Sequence, residues 1–236
     1  MSGKLYLIPT PIDGESRLCN ENFVLLEKAC TNKEKSIFVM EDPKPARRAW
    51  IRFGLDRKFI DEFVYYNEQT RGEILEELIK GLKSGKDIYL LSDCGLPAFC
   101  DPGVRLVRRC HDLGIQVTAG KFNNSVVLAL ALSGFSHEKF NFYGFVPRKS
   151  PDRETEILSF IRCSQTSILM DTPYRLDKLL GEIAEIEREH KISGTYLLAL
   201  DLNKPQERLI RGPVLALQSA ISRGQKSEFI LVRGEL

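Results

Sequence analysis

The segment Ser92-Asp93-Cys94-Gly95-Leu96-Pro97 has the residue types and spacing best suited to a ligand loop. It follows the apolar run Ile88 to Leu91, and in an open parallel α/β sheet ligands sit beyond the carboxyl ends of the strands. The turn is too elaborate for a minimal helix cap. Asp101-Pro102-Gly103, just beyond it, reads differently: Asp101 caps a helix and Pro102 occupies its first turn. No glycine-rich dinucleotide fingerprint is visible.

Basic residues form two local clusters. Lys44, Arg47, Arg48 and Arg52 share one short helical segment with Trp50, and Arg148, Lys149 and Arg153 follow the turn Phe145-Val146-Pro147. The net charge is only +2, so any RNA contact must come from such clusters and not from the global field. An aromatic beside them can stack on a splayed base. For Trp50, packing in the core or a dimer interface is the stronger reading.

Six cysteines (Cys19, Cys30, Cys94, Cys100, Cys110 and Cys163) form no Cys-x-x-Cys pair, and no histidine stands at metal-ligand spacing. Reduced thiols and no metal site are expected. Cys94 and Cys100 fall at the acidic loop, where packing is the better reading than catalysis. His111, His137 and His190 lie in no motif and read as surface or capping residues. No apolar run nears the roughly 20 residues that span a bilayer, and Met1-Ser2-Gly3-Lys4 has no signal-peptide layout. A cytoplasmic chain without a membrane segment is expected.

These residues need elements to position them. At 236 residues the chain suits two small α/β domains, expected here as 1–119 and 120–236. In the first, strands are expected at Leu5–Ile8, Ser36–Met40, Phe63–Tyr66, Asp87–Leu91 and Ile115–Ala119. Helices are expected at Arg17–Thr31, Lys44–Arg52, Arg71–Lys83 and Val104–Leu113. Such βα alternation predicts a mainly parallel sheet with helices on its faces. In the second, a buried helix Ser125–Ser133 precedes strands at Asn141–Phe145, Ser167–Met170, Thr195–Leu200, Leu209–Ile210 and Phe229–Val232. Helices at Pro151–Arg162, Arg175–Arg188 and Val214–Arg223 lie between them. An antiparallel return of Glu228–Arg233 on Gln206–Arg211 would make this sheet mixed.

Several motifs follow one another along these elements. Leu5-Tyr6-Leu7-Ile8-Pro9-Thr10-Pro11-Ile12 opens the chain, Glu41-Asp42 follows the second strand, and the long loop Ser92–Gly103 follows the fourth. Ser133-Gly134-Phe135, Phe142-Tyr143-Gly144-Phe145-Val146-Pro147, Arg153, Asp171-Thr172-Pro173-Tyr174-Arg175 and Asp201-Leu202-Asn203-Lys204 come after. In this order, over nearly the whole chain, they resemble the tetrapyrrole methylase superfamily of S-adenosylmethionine-dependent methyltransferases. Within it the chain is most similar to the ribosomal RNA small subunit methyltransferase I type, which methylates a ribose 2'-hydroxyl.

The resemblance implies two α/β domains of the tetrapyrrole methylase type, S-adenosyl-L-methionine in the cleft between them, and a homodimer. Carried over residue by residue, it assigns the cofactor to Pro9, Pro11, Asp93, Gly95, Leu96, Pro97, Asn124, Ser125, Met170 and Leu200. The partner it implies is ribosomal RNA or the small ribosomal subunit, for which Lys44, Arg47, Arg48, Arg148 and Lys149 are the candidate contacts. Methyl transfer from a sulfonium is an in-line displacement needing alignment and exclusion of water, with no metal. A ribose hydroxyl also profits from a base or a stabiliser of the developing alkoxide. Candidates are Glu41, Asp42, Asp171, Asp201 and Lys204. Taken singly, each acid also has a structural reading: Glu41 and Asp42 as helix caps, Asp201 as the partner of Lys204.

Departures from the family pattern are local. Lys121-Phe122-Asn123-Asn124-Ser125 replaces a Pro-Gly-Pro-Ser-Ala, Pro43-Lys44-Pro45 follows the acidic pair in place of Thr-Arg, and Asp13-Gly14 replaces a Gly-Asn. They keep two alternatives open: a methyltransferase of the same fold acting on a small molecule such as a tetrapyrrole, and a binding protein that has lost catalysis.

Overall fold

A computed structural model describes residues 2–99 and 101–235, so Cys100 lies outside the described residues. The chain divides into two compact units, Met1–Asn123 and Asn124–Leu236.

In the first unit, strands β1 (Leu5–Ile8), β2 (Ser36–Met40), β3 (Val64–Tyr65), β4 (Asp87–Leu91) and β5 (Val117–Ala119) form a sheet of order β3-β2-β4-β1-β5. Every pairing is parallel. A parallel sheet is covered on both faces, and its strands are accordingly near-continuous apolar runs. Ile88, Tyr89, Leu90 and Leu91 of β4 are all buried. Helices α1 (Asn20–Thr31), α2 (Pro43–Phe53), α3 (Arg71–Lys83) and α4 (Gly103–Asp112) supply the cover.

Helix α2 has both ends marked in sequence. The Asp42 carboxylate accepts from the Lys44 N–H at 3.0 Å, and Gly54 ends the helix at φ +81°. The Arg17–Thr31 expectation began three residues early, because the first helical residue is Asn20. A 3₁₀ segment, Arg57–Glu62, was not foreseen.

The order of the strands decides where a ligand can sit. From β1 the chain runs through α1 toward β2, and from β4 it runs through α4 toward β5, the opposite way along the sheet. Adjacent strands β1 and β4 therefore form a topological switch point, where the loops beyond their carboxyl ends part.

The second unit contains α5 (Ser125–Ser133), β6 (Phe140–Phe145), α6 (Asp152–Arg162), β7 (Thr166–Met170) and α7 (Leu176–His190). It continues with β8 (Tyr196–Leu200), β9 (Arg208–Gly212), α8 (Val214–Ala220) and β10 (Phe229–Arg233). Its sheet is mixed, as expected, with order β6-β7-β10-β8-β9. The expected pairing of β9 with β10 does not occur: β10 lies antiparallel between β7 and β8, and β9 pairs only with β8. Burial explains the correction. All five residues of β10 and of β8 are buried, whereas β9 carries Arg208 and Arg211 and takes the edge, where charge guards unpaired backbone groups.

Helix α5 is apolar on every side and packs on β10 and β8. The opposite face buries Leu169, Leu198 and Leu231 against α6 and α7 through Phe160, Leu179 and Ile183. Helix α7 starts later than the sequence suggested, because Pro173–Arg175 forms a separate 3₁₀ turn ahead of Leu176.

Candidate functional site

The acidic loop is fixed at the switch point of the first unit. Thr10, beyond β1, donates its N–H to the Gly95 carbonyl at 2.8 Å and its hydroxyl to the Ser92 carbonyl at 3.3 Å. The turn needs positive φ at Gly95 (+81°) and Ala98 (+62°), and glycine adopts that conformation at no steric cost. The Asp101 carboxylate closes the loop by accepting from Gly103 N–H at 2.7 Å and from Ala98 N–H at 3.0 Å. The cap position of α4 is Pro102 and has no side-chain cap, so Asp101 clamps the loop onto the first residue of the helix and does not occupy the cap expected of it. Burial pushes the Asp101 carboxyl up to about 6.

Of the residues expected to hold the cofactor here, Pro9, Leu96 and Pro97 are buried, while Pro11, Asp93 and Gly95 are partly exposed. Asp93 donates its N–H to Glu41 Oε2 at 3.3 Å. Its carboxyl is pushed up to about 6, first by burial and then by the negative charge of Glu41. Two supports carry no motif in the sequence. Buried Asn22 of α1 donates to the Pro9 carbonyl at 3.1 Å and accepts from Lys121 N–H at 2.6 Å, joining the ends of β1 and β5. Asn67 donates to the Glu41 carbonyl at 3.1 Å.

The second unit holds a cavity of about 400 Å³ at the start of α5. Phe145, Met170, Ala199, Phe229 and Ile230 give it apolar walls, and Ser125, Asp171, Thr172 and Glu228 supply polar groups. Ser125 and Met170 thus reach one hollow, as the sequence grouped them. Leu200 turns into the core instead, and Ala199 and Leu202 line the cavity on either side of it in sequence. Asn124 caps α5 by accepting from Val127 N–H at 3.0 Å.

The candidate catalytic groups differ in what already holds them. Asp42 is occupied in capping α2. Asp171 is buried, 2.7 Å from Arg153 and 3.6 Å from Arg175. Arg153, itself buried, also meets Glu182 at 2.7 Å and donates to the Pro147 carbonyl at 2.9 Å. Lys204 lies 3.3 Å from Asp201 and 2.7 Å from Glu228. The hydrogen bond to Glu228 raises the Lys204 ammonium above its ordinary range, so it stays charged.

Among the basic residues, Lys44, Arg47 and Arg48 project from α2 into solvent, and Arg148 and Lys149 are exposed after β6. Arg52 is different: it donates to the Gly14 and Ser16 carbonyls and ties down the loop after β1. Trp50 is a core residue, 1% exposed, edge-on to Phe38 and Phe63, with its indole N–H on the Asp56 carbonyl at 2.9 Å. It is no stacking surface for RNA. Among the described residues no group of three His, Cys, Asp or Glu is arranged to hold a metal, and no helix is long and apolar enough to cross a membrane.

No protein-family model matches the chain. Two solved structures align with nearly all of it: uroporphyrin III C-methyl transferase from Thermus thermophilus, 17% identical, and the cobalt precorrin-4 methyltransferase CbiF, 14% identical. The alignments cover 99% and 98% of this chain and 98% and 94% of those chains, at TM-scores of 0.34 and 0.38, too low to carry an argument. The curated relatives are decisive. Ribosomal RNA small subunit methyltransferase I of Neisseria meningitidis serogroup B is 27% identical over 235 residues, covering 98% of this chain and 76% of that protein. Its namesake in Bacillus subtilis is 30% identical over 231 residues, covering 98% and 74%. An identity of that size, sustained from the first strand to the last, carries the resemblance of the motifs over to the whole sequence, and the chain belongs to the ribosomal RNA small subunit methyltransferase I family.

Proposed function

We propose that this chain transfers a methyl group from S-adenosyl-L-methionine to small-subunit ribosomal RNA, and that the acceptor is a ribose 2'-hydroxyl. The observation that carries the reading is the match to relatives of that name along 98% of the chain. The residues fit such a donor. A cavity of about 400 Å³ with apolar walls suits an adenine ring. In the first unit, taken by itself, Asp93 among the main-chain groups beyond β4 suits a cationic group such as an ammonium. When bound, the donor supplies a methyl group made electrophilic by its sulfonium.

The chain's own residues then align and deprotonate the acceptor. Asp42 and Asp171 are already engaged, so Glu41, whose carboxylate meets the Asp93 N–H at the long distance of 3.3 Å, takes the proton. Lys204, kept cationic by Glu228, offers the second unit's own positive charge to the anionic substrate. Asp171 acts as a positioning residue that holds the turn after β7 through its arginines. Lys44, Arg47, Arg48, Arg148 and Lys149 take phosphates. A homodimer in the cytoplasm, where ribosomes are at hand, completes the proposal, and sedimentation checks the dimer.

The test is transfer of a tritiated methyl group to small ribosomal subunits, naked ribosomal RNA and a porphyrin precursor side by side. Label on either RNA acceptor supports the reading. Label on the porphyrin alone, or on nothing while the donor binds, contradicts it.

A further inference from the structure

The turn between β7 and α7 presents an aromatic ring that nothing in the mechanism above uses. Tyr174 is 60% exposed, while Thr172 and Pro173 just before it line the 400 Å³ cavity. Its ring is not loosely placed. The Arg175 guanidinium lies 5.4 Å from the ring centroid, and Arg175 is held 3.6 Å from Asp171, which Arg153 anchors from within the core at 2.7 Å. Arg148 follows β6, which pairs with β7 at Phe145 and Met170. Val146 N–H then donates to the Met170 carbonyl at 3.1 Å, so the loop of Arg148 leaves the sheet beside the turn that carries Tyr174. The Thr172 hydrogen bond first, then the charges of Arg175 and Arg148, draw the phenol below its ordinary range.

The result is an open π-face backed by one guanidinium, with a second arginine nearby, at the rim of a cavity. Aliphatic peptide side chains gain little from such a face. A nucleobase gains from both parts: it stacks on the ring, and its phosphate meets the arginine. Exposed Phe145, on another wall of the cavity, keeps the rim aromatic.

We propose that Tyr174 and Arg175 form a stacking platform for an unpaired base of the RNA substrate, with Arg148 taking the adjoining phosphate. This rests on the reading that the substrate is RNA and assigns the recognition of a single-stranded nucleotide to the second unit. No bond is made or broken at the platform. It positions the acceptor strand.

The test uses the full chain and a single-stranded RNA oligonucleotide carrying 2-aminopurine, whose fluorescence is quenched by stacking, together with KM for naked small-subunit ribosomal RNA. The wild-type chain quenches the probe. Tyr174→Ala abolishes quenching and raises KM for RNA roughly ten-fold, in line with the loss of one aromatic–base stack, while kcat and donor affinity stay within about two-fold. Tyr174→Phe, which keeps the ring, restores both. Arg148→Ala lowers the salt dependence of oligonucleotide binding. Unchanged quenching and KM in Tyr174→Ala would overturn the platform, as would Tyr174→Phe failing as badly as alanine, since the hydroxyl would then matter and not the ring. Loss of self-association in Tyr174→Ala with RNA binding intact assigns the face to a second copy and overturns it too. Quenching by a wild-type chain that methylates no RNA leaves the platform standing and removes only the reading of the reaction.

Discussion

Asp101 shows how much one carboxyl can set. Its carboxylate holds the acidic loop through the N–H groups of Ala98 and Gly103, yet burial raises its pKa to about 6. Between about pH 4 and pH 6 the folded chain keeps a proton that the unfolded chain has released, so this group makes stability fall as pH rises through that window and then level off. Asp101→Asn removes its share, on the order of 2 kcal/mol. Urea denaturation at pH 4.5 and pH 7 should show a smaller difference in the variant than in the wild type, with the raised Asp93 and Glu187 carboxyls still contributing in the same sense and the lowered His137 in the opposite one. A second contrast separates core from surface. Trp50→Ala should cost about 3–5 kcal/mol as a buried aromatic. Arg47→Glu with Arg48→Glu should leave stability within about 0.5 kcal/mol while weakening RNA binding. The types of these residues were readable in sequence, but their partners were not. Asp93 and Glu41 are 52 positions apart, and no local pattern shows that two such acids meet.

Elements were readable where the apolar pattern is strong. The strands Leu5–Ile8, Ser36–Met40 and Asp87–Leu91 and the helices Arg71–Lys83 and Ser125–Ser133 have the bounds expected of them. Weak or competing signals hid the rest. The 3₁₀ segment Arg57–Glu62 has no helical period, and the β9–β10 error came from reading sequence proximity as pairing when depth of burial chose the neighbour. Two local devices make separable predictions in denaturant. Asn124→Ala removes the cap of α5 and should cost about 1 kcal/mol, whereas Asn124→Gly should cost only a few tenths. Gly95→Ala forces a side chain into φ +81° and should destabilise by about 1 kcal/mol or more. It should also weaken donor binding if the bend beyond β4 takes the cofactor as proposed.

At the scale of the whole molecule, charge is the feature that separates the readings. With a net charge of +2, the global field offers RNA little, and the function proposed above draws its affinity from the exposed clusters on α2 and after β6. Binding to ribosomal RNA should therefore fall linearly on a logarithmic salt axis, with a slope reduced by about 1 for each phosphate-contacting cation removed. A small-molecule enzyme of the same fold would show no such slope. Family membership was readable only because the motifs recur in order along the whole chain. No single one of them, the acidic loop included, identifies a methyltransferase alone.

The central claim is the transfer of a methyl group to a ribose oxygen of ribosomal RNA, and the place of the label tests it most directly. Small ribosomal subunits methylated with tritiated donor are digested in alkali, which needs a free 2'-hydroxyl to cut the chain. The account predicts that the tritium is recovered in an alkali-stable dinucleotide. Tritium recovered in mononucleotides, as from a methylated base, would contradict it.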